Sequence, residues 1–100
     1  MNEFQVTCIN KPERASTHEH ITHIGNMTDG WKLTRDEAIR RIESRSEAFY
    51  TIDKLSGARV YVGVVHPTHG HAYLRTYADG SWNDNLLALA ECGASCNVVG

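Results

Sequence analysis

Ala58-Arg59-Val60-Tyr61-Val62-Gly63-Val64-Val65 sets aliphatic residues at every second position with Arg59, Tyr61 and Gly63 between them, the period of a strand buried on one face. Lys54-Leu55-Ser56-Gly57 separates this run from a strand-like segment before it, Ala48–Asp53. His66-Pro67-Thr68-His69-Gly70 separates it from another after it, His71–Tyr77. Both connections are of hairpin length and carry the Gly or Pro that a reversal needs, so the three strands are expected as an antiparallel meander.

Upstream, Thr34–Ser44 reads as a helix. Thr34 followed by Glu37 has the spacing of a capping box, and Ala38, Ile39 and Ile42 give one apolar face. Asp36 with Arg40 and Glu37 with Arg41 are acid-before-base pairs four residues apart. Nearer the start, Phe4, Val6 and Cys8 alternate with Gln5, Thr7 and Ile9 in a strand that Lys11-Pro12-Glu13-Arg14 ends. A shorter strand is expected over His20–Ile24, stopped by Gly25, with a loop over Asn26–Gly30. Downstream, Ala78-Asp79-Gly80-Ser81 breaks the chain, and Asn83–Ala90 reads as a short helix capped by Asn83 or Asp84. Helices and strands segregate along the chain. The expected fold is therefore α+β: an antiparallel sheet of four to five strands packed on one main helix, with a short C-terminal helix. Residues 1–92 form the expected single domain and 93–100 a flexible tail.

The chain has 100 residues, 41% hydrophobic and 22% charged, which fits one globular domain and excludes a large multistep enzyme. Ten Lys and Arg against 12 Asp and Glu give a net charge of −2, without the basic excess of a nucleic-acid coat. No apolar run approaches the roughly 18 residues of a membrane span, and no signal-like start is present, so no membrane association is expected. Three cysteines, Cys8, Cys92 and Cys96, are an odd and sparse set for a secreted disulfide scaffold and point to a cytoplasmic location.

Several ordered blocks resemble a known family: Cys8-Ile9-Asn10-Lys11-Pro12-Glu13-Arg14, His18-Glu19-His20-Ile21-Thr22-His23-Ile24-Gly25, and Trp31-Lys32-Leu33-Thr34 with Glu37-Ala38-Ile39. Tyr73-Leu74-Arg75-Thr76, Ala78-Asp79-Gly80 and Asp84-Asn85-Leu86-Leu87-Ala88-Leu89 complete the set. Together they resemble the small prokaryotic family called domain of unknown function 3892, over about Glu3 to Cys92. Two departures stand out: Ala90 where a proline is expected, and Asn26 after Gly25 where a second glycine is common. The resemblance implies no reaction, cofactor or partner. The polar residues inside its blocks, Arg14, His18, Glu19, Arg75, Asp79, Asp84 and Asn85, are expected to close turns, cap helices and form ion pairs, with a shared ligand groove as the alternative.

The six histidines fall into two groups, His18/His20/His23 and His66/His69/His71. His-x-His and Cys-x3-Cys match no zinc finger or ribbon, and neighbours on a strand point apart, so neither a metal nor another cofactor is expected. On the meander, Val60, Val62, Val64, Ala72 and Leu74 would face the helix, which puts Arg59, Tyr61, His71, Tyr73, Arg75 and Tyr77 on the opposite side. Tyrosines among arginines can stack bases and neutralise phosphates; they can equally be second-layer core or a protein interface. No catalytic residue is assigned, because no phosphate loop, nucleophile elbow or zincin motif occurs. The binding candidates are Arg14, His18, Glu19, Tyr61, Tyr73, Arg75, Tyr77, Asp79 and Asn85. The chain is expected to be a non-enzymatic binding or adaptor module with a protein partner or a second copy of itself, ahead of a single-strand nucleic-acid or metal-binding module.

Overall fold

In the computed structural model, which describes residues 1–78 and 80–100, the chain is 41% strand and 12% helix. Ten strands occur among the described residues: β1 (Asn2–Gln5), β2 (Cys8–Asn10), β3 (His23–Asn26), β4 (Trp31–Thr34), β5 (Glu47–Ile52), β6 (Arg59–Val65), β7 (Tyr73–Ala78), β8 (Ser81–Asn83), β9 (Ala90–Glu91) and β10 (Asn97–Val98). One helix, α1 (Arg35–Glu43), lies between β4 and β5, and His18–His20 form a single 3-10 turn. The strands make two five-stranded mixed sheets, ordered β1-β5-β6-β7-β8 and β10-β4-β3-β2-β9. The expectation of one antiparallel sheet on one main helix is thereby corrected.

The division begins at Val6–Thr7. The Val6 N–H donates to the Tyr50 carbonyl of the first sheet (2.7 Å), and the next N–H, that of Thr7, donates to Gly25 of the second (2.9 Å). The single N-terminal strand read from the alternation is therefore two short strands in different sheets. β1 runs parallel to β5, and β2 antiparallel to β3. Ile9, Ile24 and Leu33 form a cross-strand row in the second sheet, and they meet Phe49, Val62 and Leu74 of the first in one buried core. Burying one face of each sheet against the other is what the alternation in both sets of strands requires.

The helix matches its expected span to within a residue at each end. Thr34 Oγ1 accepts from the Glu37 N–H (3.2 Å), and only Ala38 is fully buried. The Glu37 carboxylate turns away from the cap to Arg40 and Arg41. The guanidinium of Arg40, then that of Arg41, holds its pKa down to about 2. The expected C-terminal helix is absent: between β8 and β9 the chain makes only turns, with Ala88 N–H donating to Asp84 O (3.2 Å) and Leu89 N–H to Leu86 O (3.3 Å) before it enters β9. Asn83 Oδ1 accepts from the Thr76 hydroxyl and from the Asn85 N–H, and the turns bury Leu86.

The C-terminal stretch laces the second sheet. β9 pairs in parallel with β2, and the Cys92 N–H donates to Ile9 O (2.9 Å). The chain then crosses the outer face to the opposite edge, where β10 pairs in parallel with β4. Cys8, Gly25 and Lys32 form the cross-strand row beneath the crossing. Gly25 is needed there: a β-carbon would stand 2.5 Å from Trp31 O and 3.1 Å from Cys92 Sγ. A disulfide joins Cys8 to Cys92, and residues 93–100, expected as a tail, contain the buried Cys96 and β10. Among the described residues no helix is long and apolar enough to cross a membrane.

Candidate functional site

Register across the first sheet places Tyr50 opposite Tyr61, Tyr61 opposite Tyr77, and Tyr77 opposite Trp82. Directly opposed residues share a face, so four aromatic side chains stand in one line across four strands. The line points away from the core, because Val60, Val62, Leu74 and Thr76 between them are buried. Tyr61, Tyr77 and Trp82 keep 41%, 45% and 39% of their surface exposed. Tyr50 and Tyr61 have ring centroids 6.1 Å apart, and Tyr77 meets Trp82 edge-on at 5.0 Å. Trp82 reaches over Gly63, whose missing side chain leaves a shallow apolar depression between Tyr61, Tyr77 and the indole.

Charge on this face is internally matched. Arg59 lies 4.2 Å above the Tyr50 ring, and its guanidinium donates to Glu3 Oε1 (2.7 Å). The Tyr61 hydroxyl donates to the same oxygen (2.8 Å). Arg75 shares the face by register but folds around the sheet edge, donating from Nε to Asn83 O (3.1 Å) and from Nη2 to Asp84 Oδ1 (2.9 Å).

At that edge the structure brings together two of the polar candidates, His18 and Arg75, while Asn85 lies at the end of β5 with Thr51 and Ile52. His18 is buried beside β7, with Nε2 3.6 Å from Asp84 Oδ1, too long for a hydrogen bond. Burial, then the Arg75 charge, pushes its pKa below the usual histidine value, and Asp84 opposes that shift. Asn85 Nδ2 is also buried without a protein partner. Glu19 and Tyr73 are brought together elsewhere: with Pro67, His69 and His71 they line an open depression of about 350 Å³. His71, expected on the tyrosine face, lies outside β7 and contacts Arg35 at 3.3 Å. Arg14 lies on the exposed turn after β2. Asp79 lies outside the described residues.

Two further features had no signal in spacing. Trp82 and Tyr50 complete the aromatic line, and register alone identifies them. Cys8, Cys92 and Cys96 bring their sulfurs within 4.8 Å of one another; among the described residues no other His, Cys, Asp or Glu trio converges in this way. An apolar cavity of about 250 Å³ also opens between Phe4, Trp31 and Phe49. Its polar members, Arg41 and Glu47, are bound to each other (2.9 Å), which leaves little to orient a ligand.

The family described as Protein of unknown function (DUF3892) matches residues 5–90. No curated protein and no solved structure matches the chain.

Proposed function

The chain belongs to the DUF3892 family of proteins of unknown function, and from its geometry we propose that it is a non-enzymatic binding module that holds another protein against the aromatic face of its first sheet. The observation that carries this reading is the line Tyr50–Tyr61–Tyr77–Trp82, three members of which are exposed. Tyr and Trp are enriched at interface centres, where they supply large contact area at small conformational cost. Neutral pairing of Arg59 with Glu3 and of Arg75 with Asp84 favours an uncharged, apolar partner surface. A nucleic acid is the weaker reading, since its phosphates would have to displace both carboxylates on a chain of net charge −2.

Two measurements on wild type and on Tyr61→Ala, Tyr77→Ala and Trp82→Ala test the reading. The first captures partners from native extract; the second follows a labelled single-stranded oligonucleotide across a salt series. A protein retained by wild type and lost from the variants, whose folds persist, supports the reading. Oligonucleotide binding that the same substitutions abolish supports the nucleic-acid reading instead. A concentration-dependent dimer that the variants dissolve identifies the partner as a second copy.

A further inference from the structure

We propose that Cys8, Cys92 and Cys96 in their thiol form make a three-sulfur site for a soft monovalent metal ion, copper(I). A structural disulfide needs two cysteines, yet a third is buried against this one. Cys8 is fully buried, and Cys92 and Cys96 are only 7% and 5% exposed. The three form a buried cluster separate from the main core. They arrive from different parts of the chain: Cys8 from β2, Cys92 just after β9, and Cys96 just before β10. The separation of 84 residues between Cys8 and Cys92 is closed by the β2–β9 pairing, so the sheet itself positions the sulfurs.

Metal–sulfur bonds of about 2.3 Å put sulfurs on one ion roughly 4 Å apart. All three sulfurs already lie within 4.8 Å, so opening the disulfide and moving each sulfur by about 1 Å meets that need. Thiolate sulfur selects soft ions such as copper(I). Zinc, which takes four ligands, is less well served. The Asn26 carbonyl lies 3.8 Å from Cys96 Sγ and accepts from that thiol, a bond given up when the sulfur loses its proton to bind the ion. Lys32 stands in the cross-strand row under the cluster, and its Nζ donates to Asn10 Oδ1 (3.3 Å) while Asn10 Nδ2 donates to the Cys92 carbonyl (3.2 Å). The same Asn10 amide also donates to Glu91 Oε2 (3.3 Å), so one cation and one carboxylate flank the site through Asn10 and the added charge of the thiolates is offset chiefly by the metal ion.

The chemistry balances in two steps. A cellular dithiol gives two electrons and two protons to the Cys8–Cys92 bond, leaving two thiols and its own disulfide. Copper(I) then binds the three sulfurs as their three protons leave, with no change in oxidation state, so uptake is pH-dependent.

The experiment uses the full chain reduced anaerobically with a phosphine, titrated with copper(I) against a chromogenic copper(I) chelator. One equivalent should be withdrawn, with sulfur-to-copper charge-transfer absorption in the ultraviolet. Cys96→Ser, which keeps the Cys8/Cys92 pair, should bind at least tenfold more weakly with an unchanged far-ultraviolet circular dichroism spectrum. Cys92→Ser should do the same if it folds. The proposal is overturned if reduced wild type takes no copper from the chelator or if Cys96→Ser binds as tightly. It is equally overturned if zinc(II) is bound stoichiometrically in the same buffer with comparable affinity.

Discussion

Trp82, on the edge strand of the first sheet, reaches across β7 to Gly63 on β6: a β-carbon at Gly63 would lie 3.0 Å from the indole Cζ3 and 3.1 Å from Cη2. The glycine is a seat for the indole, and the exposed aromatic line depends on its having no side chain. Gly63→Val should push the indole outward, moving tryptophan emission to longer wavelength and weakening partner binding as Trp82→Ala does. Overpacking and the gain in strand preference act in opposite directions, so stability should change by no more than about 1 kcal/mol. Unaltered emission from Trp82, measured with Trp31 replaced by Phe, would show that the indole is held by Tyr77 alone.

Thr34 accepts the Glu37 N–H at the start of α1. Thr34→Ala should lower stability by about 1 kcal/mol and Thr34→Gly by only a few tenths, read as shifts in the urea midpoint at constant slope. An unchanged midpoint in Thr34→Ala would mean that the hydroxyl is not the stabilising group.

Acid should weaken the fold well before the carboxylates titrate. Burial lowers the pKa of both His18 and His23 below 6.5, with Arg75 adding to the shift at His18 and Lys32 at His23. The unfolded chain therefore takes up protons that the folded chain resists. Their contribution is complete above about pH 6.5 and is lost as pH falls below it through the folded-state values. Glu37 acts later, because its folded pKa is about 2 against an ordinary 4.5. The midpoint should fall between about pH 7.5 and pH 5, and His18→Gln with His23→Gln should flatten that fall. Asp84→Asn should lower the His18 value further, since Asp84 is the largest influence raising it; an NMR titration of the imidazole reads this directly.

The Cys8–Cys92 bond closes a sequence separation of 84 residues. Under non-reducing conditions Cys8→Ser should cost about 2–5 kcal/mol, most of it by freeing the unfolded chain. Cys96→Ser should cost less than Cys8→Ser, because it breaks no cross-link and exchanges one small buried donor to the Asn26 carbonyl for another. A loss at Cys96 as large as that at Cys8 would point to a packing role for the third thiol.

Local order was legible where it is local in cause. The alternation in β6, the two hairpins around it and the cap at Thr34 depend on neighbours within a few residues, and each lies within two residues of its expected place. Val60 and Val62 turned inward and Tyr61 and Tyr77 outward as the pleat requires. What was hidden is long-range pairing. The parallel contacts β1–β5, β2–β9 and β10–β4 join distant segments with no turn between them to announce the pairing. Asn83 does accept the Asn85 N–H as a cap would, yet the segment must reach β2 by Ala90, and the pairing of β9 with β2 ends it after a run of turns. Trp82 belongs to the aromatic line only once β8 is registered on β7, and the cysteines converge only once β9 lies on β2.

Both margins of the second sheet are supplied by the same C-terminal stretch, with β9 along β2 and β10 along β4. These two-residue strands act as guards, occupying backbone donors and acceptors that would otherwise template a strand from another molecule. Recruitment by strand addition is thereby directed to the other sheet, whose outer strands are β1 and β8. A chain cut after Cys92 would keep the guard on β2 and lose the one on β4, giving the second sheet an adhesive margin. In a second copy the freed segment could be replaced by its twin, so damage to the last few residues would be felt as exchange between molecules and aggregation more than as unfolding.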